Sequence, residues 1–125
     1  QMRNLHFIDF QDKENILNWY RLADLFVFPT REDIWGLVIN EAMSQGLPVI
    51  TTNKCLAGLE LIKQEENGYI VNILDRMNLL KTTRCFFKDD RVKINKLRDN
   101  CLKSIESYTI ENMASMHIEV LKNIF

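Results

Sequence analysis

Proline and glycine are scarce in these 125 residues, two and four respectively, and no repeat, low-complexity tract or linker interrupts the chain. With 46% apolar residues, that excludes a disordered chain and predicts one ordered domain, residues 1–125, with a real core. No apolar run approaches the roughly 18 residues of a membrane span. Charge of one sign is also missing. The 16 basic and 17 acidic residues leave no excess to hold nucleic acid or an anionic membrane surface. Three cysteines, Cys55, Cys85 and Cys101, cannot all pair, and no two stand at Cys-x-x-Cys spacing, which argues against a disulfide scaffold or a structural zinc site. His6 and His117 lie at opposite ends and read as packing or surface residues. A reducing, cytoplasmic setting fits this composition. The chain opens on Gln1 and runs at once into an apolar stretch with no signal-peptide pattern, so it reads as a piece of a longer protein.

What is present alternates between short apolar blocks and helix-length stripes. Leu5–Phe10, Leu25–Phe28, Pro48–Thr52 and Tyr69–Ile73 read as strands, and Asn67-Gly68 as a tight turn before the last. Between them, Asp12–Ala23 is a helix with Asp12 as N-cap, and a second helix runs from about Trp35 to Gln45, with Gly46 as its left-handed stop. Leu59–Lys63 is a short helical turn. After Asp75 the strands cease, and 77–87, 91–107 and 109–125 read as helices. Two of these carry core-like stripes, Ile94, Leu97, Cys101 and Ile105 in one, and Met113, His117, Val120 and Ile124 in the other. The order predicts an α/β fold: a Rossmann-like parallel sheet with helices on both faces and a helical C-terminal tail.

Open sheets of this kind bind ligands beyond the carboxyl ends of their strands. Attention therefore falls on Pro29–Gly36, on Thr51–Gly58 and on the turns after Phe10 and Ile73. Asp33 and Glu41, eight positions apart, flank the start of the second helix. Gly36 lets the backbone approach a ligand closely, and the free amides of Gly36, Leu37 and Val38 suit phosphate or sugar oxygens. A carboxylate accepting from two vicinal hydroxyls holds a sugar diol, each charged hydrogen bond contributing roughly 1.5–3 kcal/mol. The plainer alternatives make Asp33 a helix N-cap and Glu41 a solvated residue on a polar face. Trp35 either packs beneath the helix or walls the sugar pocket. In the third loop the amides of Ala57, Gly58 and Leu59 form a possible second anion nest, with Lys54 adding charge, or else a plain helix start. The chain has no Asp-x-Asp pair for Mg²⁺, no phosphate loop of the Gly-x-x-x-x-Gly-Lys type and no Gly-x-Gly-x-x-Gly fingerprint.

Three stretches together are recognisable: Tyr20-Arg21-Leu22-Ala23-Asp24-Leu25-Phe26-Val27-Phe28-Pro29-Thr30, then Asp33-Ile34-Trp35-Gly36-Leu37-Val38-Ile39-Asn40-Glu41-Ala42-Met43, then Gly46-Leu47-Pro48-Val49-Ile50. An acidic residue, seven positions, Glu-Ala-Met and Gly-x-Pro-Val-Ile in that order resemble the C-terminal, donor-binding domain of group 1 retaining glycosyltransferases of the GT-B fold. The resemblance is specific over about Leu5–Val71 and looser over the tail. It implies that Asp33 holds the place of the family's first acid, usually Glu, which contacts donor-sugar hydroxyls, with Glu32 beside it as a substitute. It implies that Ile34, Trp35 and Gly36 line the donor sugar, that Leu37 and Val38 lie near the diphosphate and nucleoside, and that Glu41 binds the nucleotide ribose. Gly58 falls where the family has a glycine-containing loop and is a phosphate-side candidate.

The same resemblance places the family's basic pair and its acceptor domain upstream of Gln1. The expectation is then a donor-binding half that binds weakly and does not turn over alone. The parent enzyme would transfer a sugar from a nucleotide-diphosphate donor to an acceptor hydroxyl, with retention and without a cofactor or catalytic metal. Expected partners are the nucleotide sugar and the protein's own N-terminal acceptor domain, with no nucleic acid. The setting is cytoplasmic, with room for peripheral membrane association of the full-length enzyme. Two alternatives stand beside this: a non-catalytic nucleotide-sugar binding module, and a related GT-B domain of the sugar-nucleotide epimerase or phosphorylase type. The phosphorylase version needs a pyridoxal-phosphate lysine, and no pattern nominates Lys54 or Lys63.

Overall fold

Short runs of β-branched and aromatic residues form the strands, and buried parallel pairing is what their unbroken apolar character suits. The computed structural model describes residues 4–124. Its order is α1 (Lys13–Leu22), β1 (Phe26–Phe28), α2 (Leu37–Ser44), β2 (Val49–Thr52), α3 (Leu56–Leu61), β3 (Gly68–Val71), α4 (Arg76–Phe86), α5 (Arg91–Ile105) and α6 (Ile110–Ile124). The sheet is parallel in the order β1-β2-β3, with Phe26 opposite Val49 and Val49 opposite Gly68. β2 is the central strand and is buried along its whole length.

Side chains alternate across a strand, so this register sorts residues between two faces. Phe26, Phe28, Val49 and Ile70 pack into one core with Tyr20 from α1, Ile39, Ala42 and Met43 from α2, and Ala57 and Leu61 from α3. Ile50, Tyr69 and Val71 face the other way and meet Phe86 from α4 and Leu97 from α5. The sheet is thus covered on both faces, as expected. The 94–105 stripe is core as well: Leu97 and Cys101 are buried, and Ile94 and Ile105 pack against the buried clusters. Aspartates start three helices, each accepting a backbone N–H at 2.8 Å: Asp12 from Asn15, Asp75 from Asn78 and Asp90 from Lys93. Gly46 ends α2 at φ +67°, the left-handed stop anticipated.

Four expectations need correction. Leu5–Phe10 is not a strand. No neighbouring strand among the described residues pairs with it, and Phe7 and Phe10 are 92% and 97% exposed. An apolar run signals burial in general and names no partner. The stripe Met113, His117, Val120 and Ile124 is not core either, because every described residue of α6 is exposed, and Phe125 lies outside the described residues. Periodicity gives a helix an apolar face without supplying a surface to cover it. The third correction is that α2 begins two residues later than expected and α3 three residues earlier. Last, the turn before β3 places Glu65, not Asn67 or Gly68, at positive φ, while Gly68 is the first residue of the strand.

Cys101 shows what the core does to a titratable group. Its Sγ lies 3.0 Å from the Asn67 carbonyl, and burial pushes the thiol from its ordinary 9.0 up to about 12. The folded state holds this proton more tightly than the unfolded state. Its contribution is therefore complete below pH 9 and is lost as pH rises from 9 towards 12. Tyr20 and Tyr69, raised mainly by burial, act in the same direction. Denaturant titrations at pH 8 and pH 10.5 are expected to show a clear alkaline loss. Cys101→Ala should lower stability at pH 8 and flatten the loss between the two; an unchanged slope would remove Cys101 from the alkaline transition.

Candidate functional site

The β1–α2 loop builds its turn from its own side chains. The Asp33 amide donates to the Lys54 carbonyl at 3.1 Å, while Asp33 Oδ1 accepts the Trp35 amide at 3.0 Å. That is a local Asp turn, so one carboxylate oxygen is committed to shaping the loop. Asp33 does not cap α2. The N-cap is Gly36, at φ +90° and ψ +59° with no side-chain cap. A Cβ at Gly36 would stand 2.6 Å from Cys55 Sγ, so the close approach that demands glycine comes from this chain's own third loop.

At the helix start Leu37 is exposed and Val38 half-buried, while Gly36 itself is buried. The Ile39 amide turns back to the Gly36 carbonyl at 2.9 Å, but no acceptor among the described residues takes the amides of Gly36, Leu37 or Val38. Ile34 and Leu37 flank them, 86% and 68% exposed. Trp35 turns inward, packing against the first core, with Nε1 donating to Asn40 Oδ1 at 3.0 Å. Of its two readings, packing is the one realised.

Glu41 stands one helical turn below Leu37 on the same face, half-buried, with no hydrogen bond or ion pair to its carboxylate among the described residues. Its charge, second to burial, raises the Tyr20 hydroxyl pKa, which places it beside α1. Asp33 and Glu41 therefore bracket the start of α2, one before it and one a turn along the Leu37 face, towards α1.

The third loop behaves differently from a free nest. The Ala57 amide donates to the Trp35 carbonyl at 2.7 Å and the Leu59 amide to the Cys55 carbonyl at 3.1 Å, so two of the three candidate amides are occupied. Gly58 is buried in α3, and a Cβ there would collide with Thr51 Cγ2. It is a packing contact between α3 and β2. The Lys54 side chain is exposed.

A cleft of about 760 Å³ opens at the carboxyl ends of the strands, lined among others by Pro29, Arg31, Thr52, Asn72, Asp75 and Arg76. Asp33, Ile34, Trp35, Gly36, Leu37, Val38, Glu41 and Gly58 are not in its lining. The loop therefore has this cleft, with Arg31, and the open helix start as separate features. Sequence reasoning missed Arg31, and it missed the hydroxyls of Thr51 and Thr52, which donate to the Phe28 and Thr30 carbonyls at 2.9 and 2.7 Å. Two threonines ending a fully buried strand were the available signal, since a buried hydroxyl needs a partner. Among the described residues no three His, Cys, Asp or Glu side chains form a group suited to a metal, and no helix is long and apolar enough to cross a membrane.

This arrangement of an open α2 start over a parallel sheet coincides with a match to the family described as glycosyl transferases group 1, over residues 2–107. The chain belongs to the group 1 glycosyltransferases. Among curated relatives, the lipopolysaccharide core biosynthesis mannosyltransferase LpsB of Rhizobium meliloti is 36% identical over 103 residues, covering 80% of this chain and 29% of that protein. A D-inositol 3-phosphate glycosyltransferase of Corynebacterium urealyticum is 24% identical over 98% of this chain and 28% of its own length. The chain thus spans less than a third of these relatives. Among solved structures, a sucrose-phosphate synthase from Thermosynechococcus elongatus matches 96% of this chain and 30% of its own, at TM-score 0.83 and 25% identity. The C-terminal domain of the group 1 glycosyltransferase LpcC from Francisella tularensis matches 85% of this chain and 53% of its own, at TM-score 0.70 and 28% identity. The glycosyltransferase fold here is accordingly the Rossmann-like, C-terminal half of a GT-B architecture.

Proposed function

We propose that this chain is the donor-binding half of an enzyme that transfers a sugar from a nucleotide-diphosphate sugar to an acceptor hydroxyl with retention. The observation that carries the reading is the α2 start, where three unmatched amides lie between two acids. Such an end carries partial positive charge and attracts phosphate oxygens. Leu37 and Val38 would approach the diphosphate, Ile34, Trp35 and Gly36 would line the sugar with their backbone, and Glu41 would accept from the ribose diol. Asp33 keeps one carboxylate oxygen uncommitted for sugar hydroxyls, with Glu32 as the neighbouring substitute. Gly58, buried and packed on Thr51, contributes by keeping α3 close to the sheet rather than by touching phosphate. No metal takes part in this scheme. Positive charge against the leaving diphosphate would come from the rest of the protein, together with the acceptor site, so the isolated half should bind donor weakly and not turn over.

Titration with a panel of nucleotide sugars tests this. Glu41→Ala is expected to weaken the best donor by about 2 kcal/mol, roughly thirtyfold, with little change in melting temperature because its carboxylate has no partner to lose. Equal affinity in the variant would remove Glu41 from the site. With the full-length protein, turnover of the donor separates an enzyme from a silent binding module, and NMR of the product anomer reads the stereochemistry.

A further inference from the structure

The open end of α2 depends on a residue with little conformational preference. Gly36 occupies φ +90°, and glycine samples that region and its mirror with similar ease. Something outside the loop must therefore fix which way the Trp35–Gly36 peptide points. The Trp35 carbonyl is held from within by two donors, the Ala57 amide at 2.7 Å and Cys55 Sγ at 3.3 Å. Because the peptide is planar and trans, its N–H points opposite to its C=O, so anchoring the carbonyl on the 51–57 segment turns the Gly36 N–H away from that segment and towards the α2 start. Three further bonds tie the same two segments together: Thr51 Oγ1 to the Phe28 carbonyl, Thr52 Oγ1 to the Thr30 carbonyl, and the Asp33 amide to the Lys54 carbonyl. The loop is thus held at residues 28, 30, 33 and 35 by a single stretch, 51–57. Cys55 Sγ also fills the space beneath Gly36 where a Cβ would sit.

We propose that residues 51–57 are the positioning element of the donor site, and that Cys55 and the Ala57 amide lock the Trp35–Gly36 peptide against flipping. This rests on the donor-site reading of the α2 start. Cys55 is a positioning residue and touches no ligand itself. A thiol is a weak donor, but here it combines that role with a fit that any larger side chain would violate.

The test reads the peptide with and without ligand. In Cys55→Ala, NMR relaxation dispersion of the free protein is expected to show new microsecond-to-millisecond exchange at the Gly36 and Leu37 amides, and donor affinity should fall about threefold to tenfold. Cys55→Ser, which restores a donor in less volume, should recover most of both. Unchanged amide signals with unchanged affinity in Cys55→Ala would overturn the lock. Exchange at Gly36 without binding of any nucleotide sugar, by variant or native protein, would keep the lock and refute the donor reading. If Cys55→Ala is too unstable to record, the native Ala57 amide decides: slow hydrogen exchange, matching the core of β2, is expected, and exchange within minutes would overturn the proposal.

Discussion

Replacing Asn67 by leucine is expected to lower stability by about 3 kcal/mol and the melting temperature by roughly 10–15 °C. Asn67 is fully buried, and every polar atom of its side chain is used. Its Oδ1 accepts the Lys63 amide at 2.8 Å, and its Nδ2 donates to the Leu61 carbonyl at 3.0 Å and to Ser104 Oγ at 2.8 Å. Its own carbonyl accepts from Cys101 Sγ. One side chain therefore joins the end of α3, the start of β3 and α5. Leucine is close in size, so packing changes little while the buried Leu61 carbonyl and the part-buried Lys63 N–H lose their partners. Ser104→Ala removes only one of these bonds and should cost about 1 kcal/mol, since Asn67 Nδ2 still reaches Leu61. Urea denaturation of the three proteins gives both figures. If Asn67→Leu costs no more than Ser104→Ala, the network carries no special weight.

A single methyl at Gly68 should have a comparable effect. A Cβ there would lie 2.5 Å from the Val49 carbonyl oxygen and 3.3 Å from Ile62 Cγ2. The obstructing atom belongs to the backbone of the central strand, so no side-chain rotation relieves the clash. β2 and β3 must separate where Val49 pairs with Gly68. We expect Gly68→Ala to cost about 3 kcal/mol, the order of an overpacked core, with fastest loss of amide protection along Gly68–Val71. Gly46→Ala makes the useful contrast. Its Cβ would meet nothing nearer than Leu102 Cγ at 3.4 Å, so only the left-handed backbone opposes it, at about 1 kcal/mol. A Gly68→Ala protein as stable as Gly46→Ala would show that the strands can shift apart at no cost.

These two glycines also mark how far local rules reach. Gly46 was legible because a helix end states its own requirement, as was the aspartate cap at 12, whereas the caps at 75 and 90 emerged only in the structure. The parallel sheet was legible too, from unbroken strands separated by helical stripes. Gly68 reads as a turn residue in sequence because Asn-Gly is a turn signal, whereas its actual reason is a contact with Val49, nineteen positions away. The candidate site divides in the same manner. The open α2 start and its flanking acids follow from adjacent residues. The hold of Cys55 and Ala57 on Trp35, and the threonine bonds to Phe28 and Thr30, join positions about twenty apart that no periodicity connects. Leu5–Phe10 and the α6 stripe fail for a related reason: an apolar pattern states that a surface is needed and does not state where that surface is.

The uneven burial of the three thiols has a practical result. Cys55 and Cys101 are sealed in the interior, whereas Cys85 is exposed on α4. A maleimide dye added under native conditions will therefore attach at one position, on a helix that supplies neither the α2 start nor the 51–57 segment. The native sequence thus offers a ready optical handle for following ligand titrations and denaturation, without engineering a new attachment point.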